Sequence, residues 1–154
     1  MSPAEKPAFS QLAEMPGWLV GQASLFSHRL LVDRLAEEGA RPYHFRLLAA
    51  LDESGPLSQA ELGRRTGIDR SDVVAALDEL VADGLIERTP DEADRRRNVV
   101  TVTGAGKRRL RKLHRIVTGV QDEFVAPLSA AERKTLVRLL GRLLDHHRGE
   151  SRIP

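Results

Sequence analysis

Three consecutive arginines, Arg95, Arg96 and Arg97, stand in a turn-rich stretch between two short runs of strand character. Guanidinium groups carry a permanent charge and a fork of donors that suits phosphate oxygens, so clustered arginines point first to polyanion binding. Upstream, Leu85-Ile86-Glu87-Arg88 reads as a first strand. Downstream, Asn98-Val99-Val100-Thr101-Val102 is β-branched and reads as a second. The loop between them is longer and more charged than a hairpin needs, since such loops usually run two to five residues. A long basic hairpin tip directly after two helices predicts a winged helix-turn-helix that grips double-stranded DNA. The charge distribution agrees. From Arg88 to Arg115 there are ten basic residues against Asp91, Glu92 and Asp94, although the whole chain carries only +2. A solvated, arginine-rich helix face would carry similar charge without a ligand.

Other chemistry is poorly represented. No G-x-S-x-G nucleophile elbow and no H-E-x-x-H zinc motif occur. Gly104-Ala105-Gly106-Lys107 lacks the first glycine of a phosphate-binding loop and the Ser or Thr that follows its lysine. Asp145-His146-His147 near Glu150 contains metal-binding residue types, but adjacent histidines point in different directions on a helix. A solvated terminal cluster is expected there, with no metal, no cofactor and no catalytic residues.

The bulk properties fit that reading. The 154 residues suit one domain large enough for a core. Mean hydropathy is −0.32, and no apolar run approaches the roughly 18 residues of a membrane span. The first residues, Met1-Ser2-Pro3-Ala4-Glu5-Lys6-Pro7, lack the layout of a signal peptide. With no cysteine there is neither disulfide nor thiolate chemistry. A cytoplasmic protein without membrane partners is expected.

The elements that must position the arginines follow from periodicity and capping. Residues 1–16 contain prolines and are expected to be loosely ordered. Leu19, Ala23, Phe26, Leu30, Val32 and Leu35 recur at helical spacing over 18–38, with Gly39 as the stop. Pro42 opens a second helix over 43–53, ended by Gly55-Pro56. Ser58-x-x-Glu61 is a capping box for a short helix over 58–66. After the turn Thr66-Gly67-Ile68, Asp69 is the expected N-cap of a helix over 69–83, with Val73, Leu77, Leu80 and Val81 as its buried stripe. Two helices across a three-residue turn are the helix-turn-helix spacing, and its second helix enters the major groove. Two packed helices of a generic bundle would explain the turn but not the hairpin. Thr103 caps a long helix to 126, and Ser129-x-x-Glu132 opens a last one. Pro56-Leu57 has room for a tiny strand.

The fold expected is mostly α with a small β-hairpin wing. Residues 42–103 form the winged helix-turn-helix lobe, and 17–41 with 104–148 form a helical dimerisation region from both termini. Those terminal helices carry more apolar stripe than the middle lobe can cover, so a homodimer is expected. An intramolecular three-helix bundle is the alternative.

At this point the residues resemble a known family. Asp91-x-x-Asp94-Arg95-Arg96-x-x-x-Val100-x-Val102-Thr103-x-x-Gly106 is similar to the D-x-x-D-R-R-x-x-x-V-x-L-T-x-x-G pattern of the MarR family of bacterial transcriptional regulators. The lead-in from Gly67 through Leu80, Asp83, Gly84, Leu85 and Ile86 is similar to that family's recognition helix and its exit. The resemblance implies a dimeric winged-helix repressor with paired recognition helices in successive major grooves and wings in adjacent minor grooves. Arg95, Arg96 and Arg97 are the candidates for the minor groove, with Asp91 or Asp94 bracing the tip. Ser58, Gln59, Arg64 and Arg65 are candidate phosphate contacts. The recognition helix departs from the pattern at Val74, Ala75 and Glu79, and Asp69, Asp72, Asp78 and Glu79 make it acidic. Base reading is then expected from Arg70 and Ser71, with Asp69 or Asp72 accepting from cytosine and Val74 touching a thymine methyl.

The resemblance also implies a small aromatic or lipophilic anionic effector. Trp18, Phe26, His28, Tyr43, His44 and Phe45 are the residues in question, His28 and Tyr43 first among them. The acidic recognition helix motivates one alternative: a winged-helix module for protein–protein contact without sequence-specific DNA binding.

Overall fold

The structure, a computed structural model, describes residues 11–150. Pro16–Ala36 forms α1, Pro42–Ser54 α2, Leu57–Ser58 β1, Gln59–Thr66 α3 and Arg70–Ala82 α4. Ile86–Pro90 is β2, Asn98–Val102 β3, Gly104–Phe124 α5 and Ala130–Glu150 α6. The expected loose order of residues 1–10 lies outside the described residues. From 11 onward it is corrected: Leu12–Glu14 makes a 3-10 turn, and α1 already begins at Pro16. Among the described residues, no helix is long and apolar enough to cross a membrane.

Capping explains most boundaries. Ser58 Oγ accepts the Glu61 N–H at 3.1 Å and starts α3. The reciprocal half of that capping box is absent, because the Glu61 carboxylate goes to Arg64 and to Arg65 Nε at 3.0 Å. Ser129 and Glu132 complete theirs, at 3.2 and 2.7 Å. Asp69 corrects the expectation of a side-chain cap. It begins α4 through its backbone oxygen, which accepts the Val73 N–H at 2.9 Å, and its carboxylate makes no capping bond. Gly67, with φ +66°, makes the left-handed turn between α3 and α4 that other residues adopt at a cost. Ser58→Ala should lower stability by about 1 kcal/mol, read from urea unfolding. No change would mean that the Glu61 N–H is satisfied without the hydroxyl.

Two units make up the chain, one through Val120 and one from Gln121 onward. In the first, a leucine-rich core joins Leu35 of α1, Leu47, Leu48 and Leu51 of α2, Leu62 of α3, Leu77 and Leu80 of α4, and Leu113 of α5. The inner stripe of α4 is Val73, Ala76, Leu77 and Leu80. Val81 corrects the expected stripe, since it is 37% exposed. It stands one residue beyond Leu80, about 100° round the helix from the buried face. The sheet is antiparallel with order β1-β3-β2. Leu57 and Arg88 flank Val100 from either side, and Pro90 pairs with Asn98 at the end of the hairpin. Pro90 is tolerated because β2 is an edge strand. The tiny strand falls at Leu57–Ser58, one residue later than expected, and anchors the start of α3 to the wing.

In the second unit, α6 starts at its capping box, and Arg133 Nε donates to the Leu128 carbonyl at 3.1 Å. The same guanidinium lies 3.7 Å from Asp122.

Candidate nucleic-acid interface

Residues from three separate segments meet in one concavity of about 730 Å³. Ser58, Gln59, Ala60, Gly63 and Arg64 enter from α3 and its cap. Ile68, Asp69, Arg70 and Val73 enter from the turn and α4. Arg96, Arg97 and Asn98 enter from the wing. Of the residues expected to touch DNA, this surface gathers Ser58, Gln59, Arg64, Asp69, Arg70, Arg96 and Arg97. Ser71 and Val74 stand on the same helix but outside its walls, Ser71 exposed and Val74 half-buried. Arg65 also stands outside, tied to Glu61 and, at 2.9 Å, to Ser54 Oγ.

The wing tip is a seven-residue loop, 91–97, held by its own polar groups. The Asp91 N–H donates to the Arg97 carbonyl at 2.8 Å, and the Arg97 N–H to the Asp94 carbonyl at 2.9 Å. Asp91 Oδ1 accepts the Ala93 N–H at 3.0 Å. Asp94 Oδ1 accepts both the backbone N–H and the Nε of Arg96 at 3.1 Å. Arg97 Nε lies 3.8 Å from the other Asp94 oxygen. Both acidic residues therefore shape the loop, Asp91 through a local turn and Asp94 also through charge. Arg95 has no hydrogen bond or ion pair with a described residue and is exposed.

The Arg96 guanidinium, then the Arg96 backbone N–H and the charge of Arg97, hold the Asp94 carboxyl below the usual carboxylate range. A carboxylate so lowered contributes order above its ordinary value and loses it as pH falls through the lowered one. The amide resonances of Arg96 and Arg97 should therefore keep their positions from neutral pH down to about 4 and move only below that. A shift centred higher would mean that the carboxylate does not hold the loop.

Two of the four acidic residues of α4 and its N-cap are compensated from outside the helix. Asp78 pairs with Arg88 of β2. Glu79 Oε2 receives Arg41 Nη2 at 2.5 Å and His44 Nε2 at 2.6 Å. Arg41 first, then His44, hold the Glu79 carboxyl below its ordinary range. Asp69 and Asp72 are left as the acidic residues near the concavity, beside Arg70.

The candidate effector residues are not gathered in the same way. Trp18 and Phe26 are 40% and 61% exposed, and His28 is exposed. Tyr43 is half-buried with the Arg46 guanidinium 5.8 Å from its ring centre. Phe45 lies 6.3 Å from the His114 ring. His44 is buried and committed to Glu79 and to the Arg41 N–H.

Sequence reasoning missed Asn98 as a wall of the concavity, although strand alternation carries the signal. Asn98, Val100 and Val102 share one face of β3, and Val100 is fully buried. The Arg41–Glu79 and Arg88–Asp78 pairs had no local signal, since their partners are 38 and 10 residues apart.

Comparison with known proteins agrees with this geometry. A model of the MarR family matches residues 38–97, from just beyond α1 to the last wing arginine. Over 158 aligned residues the chain is 32% identical to a putative transcriptional regulatory protein for the hcr operon of Thauera aromatica, covering 97% of this chain and 93% of that protein. Its fold is similar to that of a mutant MarR from E. coli complexed with operator DNA, with TM-score 0.72 and 27% identity over 83% of this chain and 92% of that one. It is also similar to the PcaV transcriptional regulator of Streptomyces coelicolor in complex with its natural ligand, with TM-score 0.73 and 28% identity over 94% and 98%. A wing of this pattern, a helix-turn-helix opening onto the same basic concavity and a relative matched along nearly its whole length lead to one conclusion: the chain belongs to the MarR family of winged helix-turn-helix proteins, DNA-binding transcriptional regulators rather than enzymes.

Proposed function

We propose that this regulator is a homodimeric repressor of a pseudo-palindromic operator, released by a small aromatic or lipophilic anion. The observation that carries the DNA-binding half is the single concavity shared by α3, the start of α4 and the wing. Ser58, Gln59 and Arg64 are positioned for phosphates, and Arg70 and Ser71 for base edges at the start of the recognition helix. Arg95 is the arginine assigned to the minor groove, because Arg96 and Arg97 are engaged by Asp94.

The dimer rests on apolar surface left open on the terminal helices. On α1, Leu19, Leu25 and Phe26 are 49%, 61% and 61% exposed. On α6, Val137, Leu143 and Leu144 are 71%, 50% and 53% exposed. Large side chains repeated at such exposure are the usual mark of an interaction face. The effector half rests on likeness to PcaV, which was solved with its natural ligand. His28 and Tyr43 are the side chains assigned to it.

Selection from a random duplex library at physiological salt tests the whole reading. The expected product is a pseudo-palindrome with half-sites about 10–10.5 base pairs apart, bound by a dimer in sedimentation. An aromatic carboxylate from a small panel should then release it. Folded, dimeric protein that enriches no sequence would overturn the proposal in favour of a protein-interaction module. Unaltered binding across the panel would remove the effector half alone.

A further inference from the structure

The recognition helix is gripped at its far end by a polar clamp that the DNA contacts do not use. Both Arg41 Nη2, at 2.5 Å, and His44 Nε2, at 2.6 Å, converge on one oxygen of Glu79, in the last turn of α4. His44 Nδ1 accepts the backbone N–H of Arg41 at 3.1 Å. That acceptor role leaves the ring proton on Nε2, where it donates to the carboxylate. The carboxylate also faces the start of α2, the end of a helix that favours negative charge. His44 is only 8% exposed, so the donor is fixed by packing as well as by its cap.

The rest of the seat of α4 is less directional. Val73, Ala76, Leu77 and Leu80 decide which face is buried, but apolar contact tolerates small rotation and sliding. At the other end, where Arg70 stands, the Asp69 carboxylate makes no capping bond. Among the described residues two polar side-chain ties remain, Asp78 to Arg88 and Glu79 to His44 of α2 and its N-cap Arg41, and of these only the second binds α4 to another helix. We infer that Arg41, His44 and Glu79 are positioning residues that set the rotation of the recognition helix and hence its sequence preference. Glu79 thus serves DNA reading although it is an acidic residue on a DNA-facing helix. The inference rests on the assignment of base reading to the start of α4.

Simple charge and positioning predict opposite signs, which makes the clamp testable. Removing a negative charge from α4 should leave affinity for DNA unchanged or tighten it for every sequence. If Glu79 positions the helix, Glu79→Ala should instead weaken binding to the selected operator by about tenfold relative to random duplex. Glu79→Gln loses the same charge but keeps a carbonyl that accepts from Arg41 and His44, so it should restore most of that ratio. Wild type, Glu79→Ala and Glu79→Gln are compared on operator and random duplex at one salt concentration, after matched unfolding curves. Should Glu79→Ala not fold, Arg41→Ala takes its place with the same ratio as readout. Alanine and glutamine variants that move together, or a ratio equal in all proteins, overturn the inference and leave the operator reading intact. Wild-type protein with no preference overturns that reading and the inference with it.

Discussion

Replacing Arg95, Arg96 and Arg97 together by alanine should weaken binding to all duplex DNA by on the order of a hundredfold or more. Each arginine contact removed is set at about 1 kcal/mol, the middle of the range for ordinary hydrogen bonds and below that for bonds to charged groups, and 1.4 kcal/mol is tenfold. The salt dependence should flatten as well. Each phosphate no longer neutralised takes about 0.9 from the slope of log affinity against log salt, so full involvement of the three takes about 2.7. Arg96 and Arg97 line the concavity with α3 and α4, whereas Arg95 stands without a partner among the described residues at the tip. Arg95→Ala alone should therefore reduce preference for A·T-rich flanks, because a narrow groove attracts an inserted arginine. Titrations at several salt concentrations check both statements. An unchanged slope in the triple variant would remove the wing from the interface.

Gly106→Ala should be the most damaging of the glycine-to-alanine substitutions. A Cβ at Gly106 would lie 2.0 Å from the Leu85 carbonyl oxygen and 2.7 Å from Val102 Cγ2. That carbonyl cannot readily turn aside, since it accepts the Thr103 N–H at 3.0 Å. Thr103 Oγ1 in turn accepts the Gly106 N–H at 3.0 Å and donates to the Gly84 carbonyl at 2.8 Å. The first turn of α5 is thus locked onto the entrance of the wing, and a methyl must displace backbone. Overpacking typically costs about 1–3 kcal/mol and sometimes more. The upper end applies here because the obstacle is not a flexible side chain. At roughly 2–4 °C per kcal/mol for a chain of this size, melting should fall by about 6–12 °C. Gly119, on the same helix, meets nothing within 4 Å. Gly119→Ala should therefore raise stability by about 0.5–1 kcal/mol. Opposite signs for one substitution at two sites on α5 are the check, and a tolerated Gly106→Ala would mean that this contact is looser than described.

The local grammar of the fold is legible in the order of residues. Ser58, Thr103 and Ser129 begin helices where hydroxyls can meet free N–H groups, and Gly67 reverses the chain with positive φ. The β-branched residues of β3 and the arginines beside them announce a basic wing. These signals reach at most one helical turn or one strand pair, which is why residue types in order suffice for them. Where a side chain has two local options, residue order does not choose between them. Asp69 is free to cap α4 and does not, and Glu61 turns from the Ser58 N–H to two arginines.

The same limit explains what sequence reading left open at the site. Three neighbouring arginines are alike in composition, yet the geometry of Asp94 engages Arg96 and Arg97 and not Arg95. Four acidic residues make α4 look ill suited to DNA, and Arg88, Arg41 and His44 answer two of them. The pairs made by Asp78 and Glu79 depend on how whole helices and strands pack around a common leucine core, not on neighbouring letters. The amino-acid order by itself determined the family of shapes and the residues able to meet phosphate. Tertiary packing decided which charges remain available, because an ion pair forms only where distant side chains are carried within about 4 Å.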